Sequence, residues 1–199
     1  MEENTITASD KRRAGHYEIL GETFAKFEFF ENGWNPYTRF LDVDKVDLIV
    51  RRVIGGVPDY REIQVKYGKL YDCDVKWELP LFDLTSWRFF KKDEFANFAH
   101  RTDFFIAYVL AHDTGYNRDI FIFPVADFRR IVIAQSIPTG ERVKTYISRS
   151  KADPSRWFVR RKNRFEGICD ETCYEVTRYR RNFGLLETVK ISKPALTAS

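Results

Sequence analysis

The chain is poor in the residues that build cysteine and histidine metal sites. It contains three Cys, three His and one Met in 199 residues. Cys169 and Cys173 are four residues apart and on a helix could supply half of a metal site, but no second Cys or His pair completes it. We therefore expect all three cysteines to be ordinary reduced core residues.

Long apolar runs are also lacking. No run approaches the roughly 18–20 residues needed to cross a bilayer, and the first residues include no apolar segment of a secretory signal. We expect a soluble, cytoplasmic, globular protein without a membrane partner. A chain of this length fits one domain, which we assign to residues 15–187, with a flexible N-terminus at 1–14 and a flexible tail at 188–199.

Aromatic and basic residues are abundant. Eighteen Phe, ten Tyr and four Trp accompany 33 Lys and Arg, and the formal net charge is +4. Eight basic residues lie among aromatics in the 26 positions from Arg156 to Arg181. Such a mixture is typical of a surface that binds a polyanion, with cations on phosphates and rings against bases. The alternative is a solvated basic helix and edge strand.

Hydrophobic periodicity predicts alternating helices and strands. Apolar residues at helical spacing predict a first helix at 16–32 and a last helix at 170–183. Shorter helical segments are expected at 92–98 and 126–135. Strands are predicted at 46–54, 60–66, 72–79, 104–110, 120–124, 146–148 and 157–159. Helices that bracket a mostly consecutive set of strands imply an α/β sandwich.

The first two predicted strands form a hairpin around the turn sequence Gly-Gly-Val-Pro-Asp. If the two glycines alone make the turn, Asp47 lies opposite Gln64; if all five residues form the loop, Asp47 faces Tyr67. Side chains alternate along a strand, so Gln64 and Lys66 share one face in either register. Three polar groups thus converge on one patch, where burial without a purpose would be costly. The alternative is an edge hairpin whose polar side chains face solvent.

These three residue types suit phosphodiester hydrolysis. The Asp47 carboxylate and the Gln64 amide oxygen, helped by a main-chain carbonyl, are hard oxygen ligands of the kind that Mg²⁺ prefers. A bound metal ion polarises a phosphate and lowers the pKa of a bound water. Lys66 could orient that water or stabilise charge that develops on the phosphate.

The order of Glu22, Asp47 and the triplet Gln64-Val65-Lys66 resembles the PD-(D/E)XK nuclease superfamily, which includes restriction enzymes and archaeal Holliday-junction resolvases. In that family a Glu on the first helix, an Asp at the start of the second strand and a Glu-x-Lys on the third strand make the site. The resemblance covers roughly residues 15–135. Other similar stretches are Gly33-Trp34, the strand from Val46 to Val50, and Ile122-Phe123-Pro124.

The resemblance implies a restriction-endonuclease-like three-layer α/β/α sandwich with a central mixed sheet. It implies a metal-dependent endonuclease with Mg²⁺ or Mn²⁺ as cofactor, DNA favoured over RNA as substrate, and a homodimer as one possible assembly. Asp47, Gln64 and Glu22 would be metal ligands, and Lys66 and Glu22 catalytic residues. Two departures are Gln64 in place of the acidic residue, which should weaken metal binding, and Val46 in place of Pro.

Several of these residues have competing interpretations. Glu18 and Glu28 are rivals for the role of Glu22, which on the simplest interpretation is a solvated helix residue. Trp77, Trp87 and Phe89 are of a type that stacks on bases, but we expect them to pack in the core or at the surface.

A basic surface would position the phosphate backbone of the substrate without recognising its sequence. The residues expected there are Lys69, Arg160, Arg161, Lys162, Arg164, Arg178, Arg180 and Arg181. The last seven are too dense along the chain to be explained by packing. Two other functions stay open: a nucleic-acid-binding module with a weak metal site, and a protein-interaction subunit of a defence or modification system.

Overall fold

A long helix and ten strands form the part of the chain that the computed structural model describes, residues 8–38 and 45–187, with side chains from residue 15 onward. Helix α1 spans Ala8–Glu31 and so begins earlier than predicted, within the segment expected to be flexible. The rest of that segment, residues 1–7, and the tail at 188–199 lie outside the described residues. No helix in the described ranges is long and apolar enough to cross a membrane.

The strands follow α1 in chain order. They are β1 (Asn35–Thr38), β2 (Leu48–Ile54), β3 (Val57–Asp72), β4 (Phe82–Lys91), β5 (Phe104–His112), β6 (Gly115–Pro124), β7 (Ile137–Thr139), β8 (Arg142–Ser150), β9 (Trp157–Arg160) and β10 (Cys173–Glu175). Between β6 and β7 lies a helical segment, α2 (Val125–Asp127), which continues as a π-helix (Phe128–Ile133). Short 3₁₀ turns occur at Ala96–Phe98, Thr177–Tyr179 and Phe183–Glu187.

The strands form two sheets that share the long strand β3. The first sheet has the order β1-β2-β3-β5-β6, in which β3 and β5 are parallel and the other pairs are antiparallel. In the second sheet, the end of β3 pairs with β4, followed by β8, β9 and β10, all antiparallel, and β7 also pairs with β8. The fold is therefore mixed α/β, with mostly antiparallel strands and few helices.

The β2–β3 hairpin has the tighter of the two predicted registers. Gly55 and Gly56 alone separate the strands, with φ angles of 56° and 81°. A two-residue hairpin turn of this kind needs positive φ at both positions, which glycine adopts without steric cost. Leu48 pairs with Ile63, as the two-residue turn requires. The two-residue turn is confirmed, and the five-residue loop is wrong.

The two faces of the first sheet are covered by different layers. Helix α1 packs against one face through buried residues such as Ala25 and Phe29. The opposite face shares a second apolar core with the α2 segment and with the second sheet, through residues such as Tyr108, Phe128 and Trp157. Strands thus cover part of the face where a helical layer was expected.

The predicted helix at 170–183 is wrong. This stretch forms β10 and a 3₁₀ turn, and its backbone bonds to neighbouring strands. The N–H of Val176 donates to the carbonyl of Trp157, and that of Arg181 to Ile120, both at 2.8 Å. Apolar residues about three positions apart fit a 3₁₀ turn as well as an α-helix, so spacing alone did not separate the two.

The segment between β3 and β5 also differs from expectation. The predicted strand at 72–79 is wrong, because β3 ends at Asp72 and the chain turns before β4. Strand β4 was not predicted, since bulky apolar residues on both of its faces hide the alternation of a strand. The helix expected at 92–98 is reduced to turns and the 3₁₀ turn Ala96–Phe98.

Gly68 provides a test of this architecture, because it lies where β3 passes from the first sheet to the second. A Cβ at this position would lie 2.5 Å from Ser86 Oγ, 2.7 Å from Leu110 Cδ2 and 3.0 Å from Tyr108 Cε2. We expect Gly68→Ala to lower the free energy of unfolding in urea by about 1–3 kcal/mol. Gly167→Ala is the control, as nothing lies within 4 Å of its Cβ. Equal stability of the two variants would contradict the close approach of the sheets.

Candidate functional site

Asp47 lies immediately before β2 and is anchored to β3. Its N–H donates to the Ile63 carbonyl at 2.9 Å. Its carboxylate Oδ2 accepts hydrogen bonds from Gln64 Nε2 at 2.5 Å and from the Val65 N–H at 2.7 Å. The short turn therefore brings Asp47 and Gln64 into direct contact, as the two-residue register predicted.

The Gln64 side chain is 7% exposed, and its amide is only partly satisfied. The nitrogen donates to Asp47, whereas Oε1 has no hydrogen-bond partner among the described residues. A buried polar atom without a partner costs about 1–3 kcal/mol. The sequence predicted that both side chains present oxygens to one space, but the amide nitrogen faces Asp47 here. Rotation of the Gln64 amide by a half-turn would exchange its oxygen and nitrogen and would place Oε1 beside Asp47.

Lys66 lies beside Gln64 on the same face of β3. Its Nζ is 3.6 Å from Glu94 Oε1 and 5.5 Å from the centre of the Phe95 ring. Burial lowers the pKa of Lys66 below its usual value, and the Arg88 guanidinium lowers it further, while Glu94 and Asp47 oppose the shift. Such a poorly hydrated ammonium interacts more strongly with an anion than one in bulk water does.

A cavity of about 380 Å³ joins these residues to helix α1. Asp47, Gln64 and Lys66 line it from the hairpin, and Glu18 and Glu22 line it from the helix. Five of the polar residues that the sequence analysis considered for one site therefore share one cavity.

Helix α1 reaches the cavity because it packs closely on β3. At Gly21 a Cβ would lie 3.1 Å from the Cβ of Tyr67, so the lack of a side chain at Gly21 allows the helix to lie this close to β3. Glu22 follows directly and forms an ion pair with Lys26 at 3.6 Å. Glu28, the other rival, does not line the cavity: it is fully buried and ion-paired with two arginines.

Three further charged residues line the cavity, and the sequence analysis did not name them. They are Lys45, Arg88 and Glu94. Arg88 lies on β4 and donates through Nη1 to the Tyr67 carbonyl at 2.8 Å. It was missed because β4 was not predicted. The sequence signal that could have revealed it is the two-residue spacing of Ser86, Arg88 and Phe90, which places all three on one face of that strand.

The donor atoms suit a hard divalent cation more than a soft one. In the described ranges, no three His, Cys, Asp or Glu side chains form a group that could hold a metal ion. An ion here would depend on the Asp47 carboxylate, Gln64 Oε1 and main-chain oxygens, a set that matches Mg²⁺ or Mn²⁺. The unsatisfied Gln64 Oε1 is the observation that fits such an ion.

Comparison with protein families, curated proteins and solved structures finds no match to this chain.

Arg160 is one of three residues of the predicted basic surface that form ion pairs with buried carboxylates. Its side chain is 1% exposed. The guanidinium donates to Glu78 Oε1 at 2.7 Å and to Ser148 Oγ at 2.8 Å. The prediction that packing does not explain this arginine is wrong, because the buried ion pair ties β9 to the turns before β4.

Arg180 and Arg181 are engaged in the same way. Arg180 Nε lies 2.8 Å from the buried Asp119, and Arg181 Nη1 lies 2.7 Å from the buried Glu28. A buried carboxylate needs such a partner, since an unpaired one is strongly destabilising. For these two residues also, internal pairing explains what the sequence analysis attributed to phosphate binding.

The other members of the predicted surface are more accessible. Lys162 and Arg164 are exposed, and Arg161 and Arg178 each donate a hydrogen bond to a nearby residue of the C-terminal third. Lys69 forms an ion pair with an exposed aspartate at 2.7 Å. None of the eight predicted residues lines the cavity.

The three cysteines are free, as predicted, but only two of them are core residues. Burial raises the pKa of Cys73 to about 12 and that of Cys173 to about 11. Cys169 is exposed, so its assignment to the core is wrong. The helical face that would have joined Cys169 to Cys173 is also absent, because Cys173 lies in β10.

The pairing of Arg160 predicts a loss of stability rather than a loss of ligand binding. Arg160→Ala leaves Glu78 as a buried charge without its partner, which should cost about 3–5 kcal/mol. Lys162→Ala, two residues away and exposed, should leave stability within about 0.5 kcal/mol of the parent. Urea unfolding of the two variants measures both effects. A fully stable Arg160→Ala protein would show that the ion pair contributes nothing.

Proposed function

We propose that the chain is a metal-dependent nuclease that hydrolyses nucleic-acid phosphodiester bonds, with DNA as its favoured substrate. One observation carries the proposal: Gln64, whose buried Oε1 has no hydrogen-bond partner among the described residues, contacts the Asp47 carboxylate through Nε2 and lines a single cavity with Asp47 and Lys66. A carboxylate, a second oxygen and a cation are the groups that metal-assisted phosphodiester hydrolysis uses.

The order of the elements supports the proposal. Glu22 lies on the first helix, Asp47 immediately precedes the second strand, and Gln64 and Lys66 lie on the third. These are the positions that the resemblance to the PD-(D/E)XK superfamily implies. We propose that α1, the first sheet and the α2 segment form a core like that of the restriction endonucleases, with the second sheet added to one face.

Each residue then has a distinct role. Asp47 and Gln64 would hold Mg²⁺ or Mn²⁺, with Glu22 as the carboxylate that approaches from the helix. When bound, such an ion polarises the phosphate and lowers the pKa of a coordinated water. Lys66 Nζ would donate a hydrogen bond to a phosphate oxygen, where its poor hydration strengthens the interaction with developing charge. Until substrate binds, Glu94 holds the ammonium in the cavity.

Arg88 adds a second cation next to Lys66. Its Nη1 is tied to the Tyr67 carbonyl, which orients the guanidinium towards the cavity that Lys66 also lines. A planar guanidinium recognises phosphate oxygens in a fixed geometry. We propose that Arg88 positions the phosphate that is cleaved.

A second candidate is a nucleic-acid-binding module that does not cleave. It is favoured by the neutral side chain of Gln64, which leaves the site with one negative charge fewer than the family pattern. The two candidates differ in one observable, the metal-dependent cleavage of DNA.

The proposed role of Asp47 predicts that Asp47→Ala removes cleavage of plasmid, single-stranded and branched DNA. We expect at least about a 100-fold loss in the presence of Mg²⁺ or Mn²⁺, since the ion loses its only charged hairpin ligand. Asp47→Asn should lose cleavage to a similar extent, although its amide oxygen can still accept the hydrogen bond from the Val65 N–H. The control is Asp74→Ala, because Asp74 is exposed and does not line the cavity. Full activity in a folded Asp47 variant would overturn the assignment.

The proposed role of Gln64 predicts that Gln64→Glu binds Mn²⁺ at least as tightly as the parent does. In the metal-free protein the new carboxylate lies against Asp47, so like charges should lower the melting temperature. Added Mn²⁺ should raise it by more than in the parent, because a ligand that binds the folded state stabilises it.

The control for Gln64→Glu is the same change at the other glutamine of the chain, Gln135, which does not line the cavity. Calorimetric titration with Mn²⁺ measures affinity, and a thermal melt with and without Mn²⁺ measures stability. Weaker Mn²⁺ binding in Gln64→Glu than in Gln135→Glu would contradict the assigned role.

A further inference from the structure

The second sheet has an exposed face that combines aromatic rings with cations. Strands β4 and β8 are antiparallel, and successive facing pairs are Trp87 with Tyr146, Phe89 with Lys144, and Lys91 with Arg142. Alternate residues of a strand share one face. We call these six residues the aromatic face: Trp87, Phe89, Lys91, Arg142, Lys144 and Tyr146.

Two of the three rings of the aromatic face are exposed although they are large, and the third, Tyr146, is half-buried. Trp87 is 44% exposed and Phe89 is 39% exposed. Trp87 and Phe89 are not part of the core, since the same two strands bury Phe90, Val143 and Ile147 on their other face. Exposed aromatic rings grouped on one surface mark a site that binds a partner.

Lys144 lies at the centre of the rings. Its Nζ is 4.8 Å from the centre of the Trp87 ring, 4.8 Å from that of Tyr146 and 5.9 Å from that of Phe89. The long lysine stem can swing aside and leave ring faces open while the ammonium stays close. An aromatic group could then stack where the ammonium now lies.

The charges of the aromatic face favour an anionic partner. Three of the six residues are cations, none is a carboxylate, and none is aliphatic. A hydrophobic protein segment would bury the Lys144 ammonium among the rings without a counter-charge, which is costly. A single-stranded nucleic acid satisfies both halves of the surface, because bases stack on the rings and phosphates pair with the cations.

We propose that the aromatic face binds a single-stranded stretch of nucleic acid by stacking unpaired bases on Trp87 and Phe89. Lys144, Lys91 and Arg142 would contact the phosphates of the same strand. This binding needs no metal ion and no cleavage, so it can be tested independently of the proposed nuclease activity. Strand β4 would serve both sites, since Arg88, between the two rings, faces the cavity from the other side of the sheet.

Binding is measured by fluorescence anisotropy with labelled oligo-dT, oligo-U and a DNA duplex of equal length, in EDTA. We expect the parent to prefer the single strands over the duplex. Trp87→Ala should weaken oligo-dT binding by about tenfold or more, because stacking of one base contributes about that factor. Trp87→Phe, which keeps a ring, should retain most of the affinity.

The control for Trp87→Ala is Tyr60→Ala, which removes another exposed ring, 5.9 Å from Arg51, on the β2–β3 hairpin. Tyr60→Ala should leave oligo-dT affinity unchanged. Lys144→Gln should reduce the slope of log affinity against log salt by about 0.7 on a single strand. The exposed Lys76→Gln should not change it.

Three results would overturn the proposal. One is a parent protein that does not bind single strands in EDTA. Another is an equal oligo-dT affinity of Trp87→Ala and Tyr60→Ala. The third is a protein that self-associates through this face, so that Trp87→Ala changes its mass in sedimentation without changing its oligo-dT affinity. An Asp47→Ala protein that has lost cleavage but still binds oligo-dT would support the aromatic face as a separate site.

Discussion

The glycine turn between β2 and β3 sets the geometry on which the cavity depends. With only Gly55 and Gly56 between the strands, pairing begins at once and Asp47 comes to lie opposite Gln64. A slip of one residue would turn Gln64 and Lys66 to the α1 side of the sheet and would turn Ile63 and Val65 away from α1. The burial of Ile63 under α1 opposes that slip, so the turn and the core enforce the same register.

Strand β3 then connects this hairpin to the rest of the first sheet and to the second sheet. Its first part pairs with β2 and with the parallel strand β5, and its last residues pair with β4 in the second sheet. Because the sheets share one strand, Arg88 of β4 comes next to Lys66 of β3 although 21 residues separate them in the sequence. The cavity thus has one wall from each sheet, and α1 closes it with Glu22.

Charge is distributed unevenly between the interior and the surface of this protein. Three arginines of the C-terminal third are held by the buried or nearly buried carboxylates Glu78, Asp119 and Glu28. A low-dielectric interior requires such pairing, so those arginines stabilise the fold. On the aromatic face, by contrast, the Lys144 ammonium lies against the Trp87 and Tyr146 rings. The density of basic residues in the sequence did not distinguish these two situations, because the paired carboxylates lie far away along the chain.

Local patterns in the sequence were sufficient to predict the first helix, the β2–β3 hairpin and the apolar strands β5 and β6. They also predicted the convergence of Asp47, Gln64 and Lys66. Each depends on contacts between near neighbours or on the period of side chains along one strand. Only the tertiary structure decided that residues 170–183 form β10 and a 3₁₀ turn, that Arg88 and Glu94 enter the cavity, and that Arg160 is buried. The physical reason is the same in all three cases: the deciding hydrogen bonds and ion pairs join residues that are distant in sequence, so no local pattern contains them.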